Sequence, residues 1–316
     1  MKFTIYLLPV LLMLSTLAAE PQAVPSAIPS AEQNSASFDW KNPEVKQLCS
    51  GVSYIKMKLT SPRLIALCAV KIDLSTPGIR FKVTGRDKDW GTPMPDADQK
   101  RQKYTIRTAR RKTRHFIEES RKAGENMVLA VNGPPWGPWK APWTHKYADH
   151  MGLLISDKVL VSYPHRGRPS FVVKDDGSCD FMHIAKDADI SQIRHAISGF
   201  VQIVKDGKLL KIQKKESLAP RTAYGLDSAR KTMYILVIDG RQPGYSNGCT
   251  VGETARIIRF LGADDALNMD GGGSTTLFLH DRKKLLKMNS YRFGLERTVG
   301  ANLGVIIDPV KQKVKK

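Results

Sequence analysis

A-L-N-M-D-G-G-G-S-T-T-L-F-L, from Ala266 to Leu279, sets two apolar runs around a polar centre. The first run, Ala266 to Met269, reads as a strand that delivers the chain into Asp270, three glycines, Ser274, Thr275 and Thr276. A glycine costs about 1 kcal/mol relative to alanine in regular structure, so three together need a physical reason. A plain turn between strands needs only one or two turn-forming groups. Here Asn268, Asp270, Ser274, Thr275 and Thr276 crowd around Gly271, Gly272 and Gly273, and close approach of backbone to a ligand is the better account.

Immediately upstream, Thr250, Val251, Gly252 and Glu253 have the spacing of a capping box. The helical pattern Ala255, Ile257, Ile258 and Leu261 follows and stops at Gly262. This gives Glu253 a structural task in preference to a catalytic one. Before the helix, Lys231 to Ile238 reads as a strand ending at Asp239, Gly240 and Arg241, and the loop R-Q-P-G-Y-S-N-G-C then runs to Cys249. Strand, helix and strand in this order predict a right-handed parallel unit. Its carboxyl edge would turn Asp239 and Asp270 toward one cleft.

Farther out, Val52 to Leu59, Ile65 to Leu74 and Ile79 to Val83 alternate apolar and polar residues and predict antiparallel strands. A surface helix is expected from about Thr105 to Ala123. The apolar run Met127 to Val131 ends at Asn132 and Gly133, followed by P-P-W-G-P-W-K-A-P-W. Its Trp136, Trp139 and Trp143 suit either a stacking wall for a sugar ring or a plug at the core edge. Further strands are expected at Gly152 to Ile155, Val159 to Ser162, Ser170 to Val173, Phe181 to Ile184, Ala196 to Val204, Pro220 to Leu226 and Ala301 to Ile307. K-K-L-L-K-M-N at Lys283 to Asn289 reads as helical or irregular. The fold class expected is α+β: a large mixed, mostly antiparallel β-sheet core with a few flanking helices and one strand-helix-strand unit carrying the site.

The 316 residues are 41% apolar, as in globular proteins. Residues 1–19 have a basic start, an apolar centre and small residues at Ala18 and Ala19, the pattern of a secretory signal peptide. Residues 20–38 read as a flexible Pro/Ala/Ser-rich linker, 39–310 as a single domain and 311–316 as a basic tail. No later segment is long and apolar enough to span a bilayer. The expected location is therefore secreted or periplasmic. Cys49, Cys68, Cys179 and Cys249 lack metal-ligand spacing and suit either two disulfides or free buried thiols. The formal charge of +20 points to an anionic partner. No nucleic-acid-binding motif is present, so a phosphosugar or anionic envelope glycan fits better.

V-I-D-G-R at Val237 to Arg241, S-N-G at Ser246 to Gly248, the helix with Glu253 and A-L-N-M-D-G-G-G-S-T-T together resemble the phosphodiester glycosidase family. The resemblance takes in A-V-N-G at Ala130 to Gly133, I-S-G at Ile197 to Gly199, P-R-T-A at Pro220 to Ala223 and E-R-T-V with A-N-L-G-V from Glu296 to Val305. It thus covers about Val52 to Asp308. Two stretches depart from the pattern, the tryptophan-rich loop and Tyr291 to Leu295, and both bear on the substrate more than on the reaction class.

The resemblance implies an exported hydrolase that releases a sugar, of N-acetylglucosamine type, from a sugar-1-phosphodiester. The leaving phosphate monoester is a weak base, so positive charge on the phosphate and a carboxylate at the anomeric carbon matter more than a strong general acid. Asp270 is the first choice as base or nucleophile and Asp239 as its partner. Arg221 and Arg241, with Arg297 third, offer planar forks for phosphate oxygens. The glycine amides of Gly271 to Gly273, with Ser274 and Thr275, are expected to meet substrate oxygens, and Asn132, Gly133, Ser198 and Asn268 complete the expected substrate site. No cofactor is called for, though a divalent cation held by the carboxylates is compatible with the pattern. His150, His183 and His280 read as structural. Two rivals stand beside this reading: a non-catalytic module for anionic envelope glycans and a metal-dependent phosphodiesterase.

Overall fold

The third strand of the chain, Ile65–Asp73, shows how the fold is layered. Its Cys68, Val70 and Ile72 enter one apolar cluster and its Ile65, Leu67 and Ala69 enter another. A strand covered on both faces reads as a nearly continuous apolar run. Around it an eight-stranded sheet runs in the order Lys46–Cys49, Val52–Leu59, Ile65–Asp73, Thr232–Ile238, Arg221–Leu226, Asp265–Asn268, Val201–Lys205 and Lys208–Leu209. The computed structural model describes residues 38–309 except 41, 96, 99–102, 139–144, 166 and 213–216. The expected signal peptide, nearly all of the linker, the basic tail, Trp139 and Trp143 lie outside the described residues.

On one face of the large sheet sit two five-stranded sheets. One has the order Val159–Ser162, Leu154–Ser156, Ile193–Ser198, Pro169–Lys174 and Cys179–His183. The other has the order Leu285–Lys287, Leu277–His280, Met127–Asn132, Asn302–Ile307 and Ile79–Val83. Their inward side chains, among them Leu129, Val131, Phe171, Ile197 and Leu303, share one core with Val70, Tyr224, Ile235 and Leu267 of the large sheet. On the opposite face, helix α2 (Val251–Phe260) packs Ala255, Ile257 and Ile258 against Leu67, Leu236 and Ile238. Helix α1 (Thr113–Lys122) covers the third sheet through Phe116 and Ile117. The architecture is α+β with a β-rich core, and each ladder among the described strands is antiparallel.

Local readings differ from the structure in five places. Thr232–Ile238 and Asp265–Asn268 do run parallel to each other across α2, but Arg221–Leu226 lies between them, antiparallel to both. The parallel unit is therefore split by a strand that comes earlier in the chain. Helix α1 begins at Thr113 and not at Thr105, because the amides of Ile106, Arg107 and Arg111 are engaged by the carbonyls of Thr92, Ala148 and Val299. Ala196 to Val204 is two strands. At Gly199 and Phe200 the amides switch to Pro169 and Asn268, so the chain leaves one sheet and enters another without a polar break. Leu285–Lys287, expected to be helical or irregular, pairs with Leu277–His280 as an edge strand. Phe38, assigned to the linker, is buried, and its neighbour Trp40 stacks on Phe260 at 3.9 Å. The four cysteines are free.

The expected cap on α2 is present in full. The Thr250 hydroxyl accepts from the Glu253 amide at 3.1 Å, and the Glu253 carboxylate accepts from the Thr250 amide at 2.9 Å. Glu253 also pairs with Arg63. Thr250→Ala should lower stability by about 1 kcal/mol in urea unfolding, while leaving any turnover within a factor of about two, since the cap touches no part of the cleft described next.

Candidate active site

The eight-stranded sheet and the Met127–Asn132 sheet meet at Asn132, and that junction places the glycine loop. Asn132 is fully buried. Its Oδ1 accepts from the Thr222 hydroxyl at 2.8 Å and the Thr276 amide at 3.0 Å, and its Nδ2 donates to the Asp270 carbonyl at 2.7 Å. The buried Tyr224 hydroxyl adds a bond to the Asn132 carbonyl at 2.7 Å. The Gly133 carbonyl in turn accepts from the Asp270 amide at 3.2 Å. The Asn132 amide is thus engaged within the protein at both ends, and it acts as the bolt that holds Asp270 and Thr276 in register.

Beyond Asp270 the chain makes a short 3-10 turn, Gly272–Ser274. A Cβ on Gly273 would lie 2.5 Å from Nη2 of Arg297, and one on Gly272 would lie 3.3 Å from Nη1 of Arg241. Gly272 also has φ +61, a conformation that favours glycine. Two guanidinium groups therefore lie directly on the glycine backbone, which explains the run of glycines better than amides turned to a ligand. The Gly271 amide closes on the Asp270 Oδ1 at 3.0 Å and the Gly272 amide on the Pro220 carbonyl at 2.8 Å. At least two of the three expected glycine donors are consequently used inside the loop.

Next to the glycines opens a pocket of about 550 Å³ whose lining includes Arg110, Arg241, Gly272, Gly273, Thr275, Tyr291 and Arg297. Arg241 reaches it from a left-handed backbone, φ 59, a conformation that costs of order 1 kcal/mol for a residue with a side chain. Arg110 stacks on the Trp136 ring at 4.3 Å and donates to the carbonyls of His145 and Thr298 at 2.8 and 3.2 Å. Its Nε is buried without a partner. Burial first, and the neighbouring Arg297 second, hold the Arg110 pKa below its ordinary value. Glu296, whose carboxylate accepts from the Arg114 amide at 3.0 Å, also lines the pocket, and the surplus of arginine over carboxylate in the lining suits an anion.

Asp270 is absent from the lining of that pocket. It stands beside Arg297 and the indole of Trp136, with partial access to solvent. Burial pushes its carboxyl up to about 6, against the opposing pull of the Ser274 hydroxyl, the Gly271 amide and Arg297. Asp239 is also raised to about 6 by burial. Both of its oxygens are taken: Oδ1 accepts from the Ser290 amide at 2.8 Å and Oδ2 from the Tyr245 hydroxyl at 3.0 Å. Ser290 and Tyr291 form pocket wall, so Asp239 anchors that wall from behind. Its place at the same sheet edge as Asp270 does not put its carboxylate beside the pocket.

Three other expected site residues have structural surroundings. Arg221 donates through Nε to the Cys249 carbonyl at 2.9 Å and through Nη2 to the Ser217 carbonyl at 2.7 Å, and so clamps the ends of two loops. Ser198 is buried in the second sheet with its hydroxyl 2.8 Å from that of Ser170, away from the cleft. Asn268 is buried with its Oδ1 unpartnered, at the end of the strand that leads into Asp270. Thr275 does line the pocket, and Ser274 is buried against Asp270. His150 bonds the Thr108 hydroxyl at 2.9 Å, and burial pushes its pKa down to about 3, a structural histidine as expected. His183 bonds the Gly167 carbonyl at 2.7 Å. Among the described residues, no group of three His, Cys, Asp or Glu ligands includes Asp239 or Asp270. The one such cluster is Asp206, Asp264 and Asp265, where Asp265 is already paired with Arg230.

Sequence reasoning missed Arg110, Trp136 as a neighbour of Asp270, Tyr245 and, apart from Arg297, the wall from Ser290 to Thr298. Arg110 sits in R-T-A-R-R-K-T-R, whose charge density reads as a solvated face. Nothing local distinguishes the one arginine that folds over an indole. Trp136 was legible only as one of three tryptophans, and the structure puts it in the core edge beside the carboxylate, 5% exposed.

A sequence model of the phosphodiester glycosidase family matches residues 125–306, which include Asn132, Asp239, Asp270 and Arg297 but not Arg110. No curated protein matches the chain. Among solved structures, a hypothetical protein from Synechocystis superposes with a TM-score of 0.61 at 13% identity, over 85% of this chain and 64% of its own. The catalytic domain of zebrafish N-acetylglucosamine-1-phosphodiester alpha-N-acetylglucosaminidase, auto-inhibited by its pro-peptide, superposes with a TM-score of 0.58 at 16% identity, over 92% of this chain and 95% of its own. At those identities the superpositions show a shared fold, and the sequence match supplies the family. With its sheets, its glycine loop and its paired arginines all inside or against the matched segment, this chain belongs to the phosphodiester glycosidase family.

Proposed function

We propose that this protein is an exported hydrolase that cleaves the bond between an anomeric carbon and a phosphodiester oxygen, releasing a free sugar and a phosphate monoester. The observation that carries this reading is Asp270: a carboxyl raised to about 6 by burial, beside Arg297, at the edge of a pocket walled by Arg110 and Arg241. Arg297, Arg241 and Arg110 are assigned to the phosphate. Charge-assisted donors that neutralise a departing phosphate lower the barrier where charge develops. Asp270 in its ionised form takes a proton from the attacking water, or itself bonds to the anomeric carbon before water displaces it. In both cases the C–O electron pair leaves on the phosphate, whose monoester needs little protonation to depart.

Asp239, Asn132 and Arg221 then act by position. They hold the Ser290 wall, the Asp270 backbone and the loop after Arg241. Export is supported by the signal-like residues 1–19, and among the described residues no helix is long and apolar enough to cross a membrane. An N-acetylglucosamine-type sugar is the substrate proposed, from the family resemblance and the fold shared with the zebrafish enzyme domain.

The test is hydrolysis of methyl N-acetylglucosamine-1-phosphodiester in isotopically labelled water. The expected product pair is labelled sugar and unlabelled methyl phosphate. Label in the phosphate would assign a phosphodiesterase in its place, and binding without turnover a glycan-recognition module.

A further inference from the structure

The pocket wall from Tyr291 to Thr298 carries two side chains that the fold does not need outside the core. Phe293 is 80% exposed and Leu295 78% exposed, and the next large apolar side chain among the described residues is Val45 at 58%. Both line the arginine pocket. Phe293 also has φ 64, a left-handed backbone that a bulky aromatic rarely adopts. Its ring packs under the Arg292 guanidinium at 4.6 Å, and Lys287 stands 5.1 Å over the Tyr291 ring. Isolated exposed apolar residues need no explanation. Two that flank one glycine at the mouth of an arginine-rich pocket, one of them on a strained backbone, form an apolar rim beside Arg292, Arg297 and the single lining carboxylate Glu296.

That pairing of surfaces matches an amphiphile. We propose that the wall selects a phosphodiester whose second ester is an apolar chain of lipid type: the phosphate lies on Arg241, Arg297 and Arg110, and the chain runs outward over Phe293 and Leu295. This rests on the reading of the site as phosphodiester-cleaving, and it names the aglycone, which that reading left open. A polar aglycone gains nothing from Phe293 and Leu295. An alkyl chain removes both, and itself, from water.

The experiment compares kcat/KM for the methyl and octyl esters of N-acetylglucosamine-1-phosphate, below the micellar concentration of the octyl ester. The octyl ester should be favoured by roughly tenfold or more, the effect of about two buried methylenes. The double variant Phe293→Asn with Leu295→Ser should bring the ratio of the two close to one. Both positions are exposed and asparagine accepts φ > 0, so the variant should fold. Equal turnover of the two esters by the unaltered protein, or a preference that survives in the double variant, overturns the proposal while leaving the site's reaction intact. No turnover of either ester overturns the reading of the site itself. Anionic phospholipid vesicles that bind the unaltered protein but not the variant, with no preference between esters, overturn the proposal in favour of a membrane surface.

Discussion

Asp270→Asn should lower turnover of a sugar-1-phosphodiester by about a thousandfold and leave its binding close to unchanged. Asparagine keeps the size of the side chain and an oxygen for the Gly271 amide, and its NH2 can donate to the Ser274 hydroxyl, so the arginine pocket stays as it is. On the proposed mechanism, what is lost is the group that accepts a proton or bonds to carbon. The pH profile gives an independent check. The Asp270 carboxyl titrates at about 6 in the folded protein, so kcat/KM should rise with pH and level off above that value. Stability should move in the opposite sense. A carboxyl whose folded pKa exceeds its ordinary 3.8 binds its proton more tightly when folded, so its contribution to stability is fully present only while it stays protonated and falls away as pH rises toward 6. Asp270→Asn removes that penalty. At pH 7.5 the variant should be more stable by an amount on the order of 1–3 kcal/mol, and at pH 4 the gain should vanish. Thermal melts at the two pH values read this directly. A variant that keeps full turnover removes Asp270 from the chemistry, whereas a bend near pH 6 that persists in a crippled variant belongs to Asp239, whose carboxyl burial raises to the same value.

Asn132→Ala should be the most destabilising single change in the site, by about 4 kcal/mol in urea unfolding. It leaves the buried Thr276 amide and the part-buried Asp270 carbonyl without this partner, and the buried Thr222 hydroxyl with only a long contact to the Thr275 hydroxyl at 3.4 Å. A residue that served only as a ligand donor would shift stability by no more than about 0.5 kcal/mol. Asn132→Asp separates the two ends of the side chain. It keeps the acceptor for Thr222 and Thr276 but places a second oxygen against the Asp270 carbonyl. That variant should be destabilised at neutral pH and recover part of the loss in acid, where the carboxyl protonates and can donate again. Turnover should fall with stability in both variants, because the same bonds set the position of Asp270.

The two carboxylates show how far local sequence can be read. Asp239 and Asp270 look equivalent on the page: each ends an apolar strand, each is followed by glycine, and each lies on the same sheet edge. Their surroundings diverge because of groups that lie outside the two strands, some close in the chain and some distant. Ser290 and Tyr245 occupy both oxygens of Asp239, whereas Asp270 keeps its place beside Arg297 and Trp136. Arg221 and Arg241 diverge for the same reason. Carbonyls of Cys249 and Ser217 take the first, and the second folds over Gly272 into the pocket.

What the sequence determined by itself is what depends on neighbours within a turn or a strand. Alternation marked the strands on either side of the core, Thr250 to Glu253 spelled out the helix cap, and the glycine run after Asp270 located the cleft. Periodicity and capping act over a few residues, so they survive in a string of letters. Only the tertiary structure decided that Arg221–Leu226 inserts between the two parallel strands and that the chain changes sheets at Gly199. Only it put Arg110 over Trp136 and made the glycines a bed for Arg241 and Arg297 rather than a row of open amides. Those outcomes are set by which distant surfaces bury one another and by which polar groups are then left to find partners, and neither is written in the spacing of any one segment.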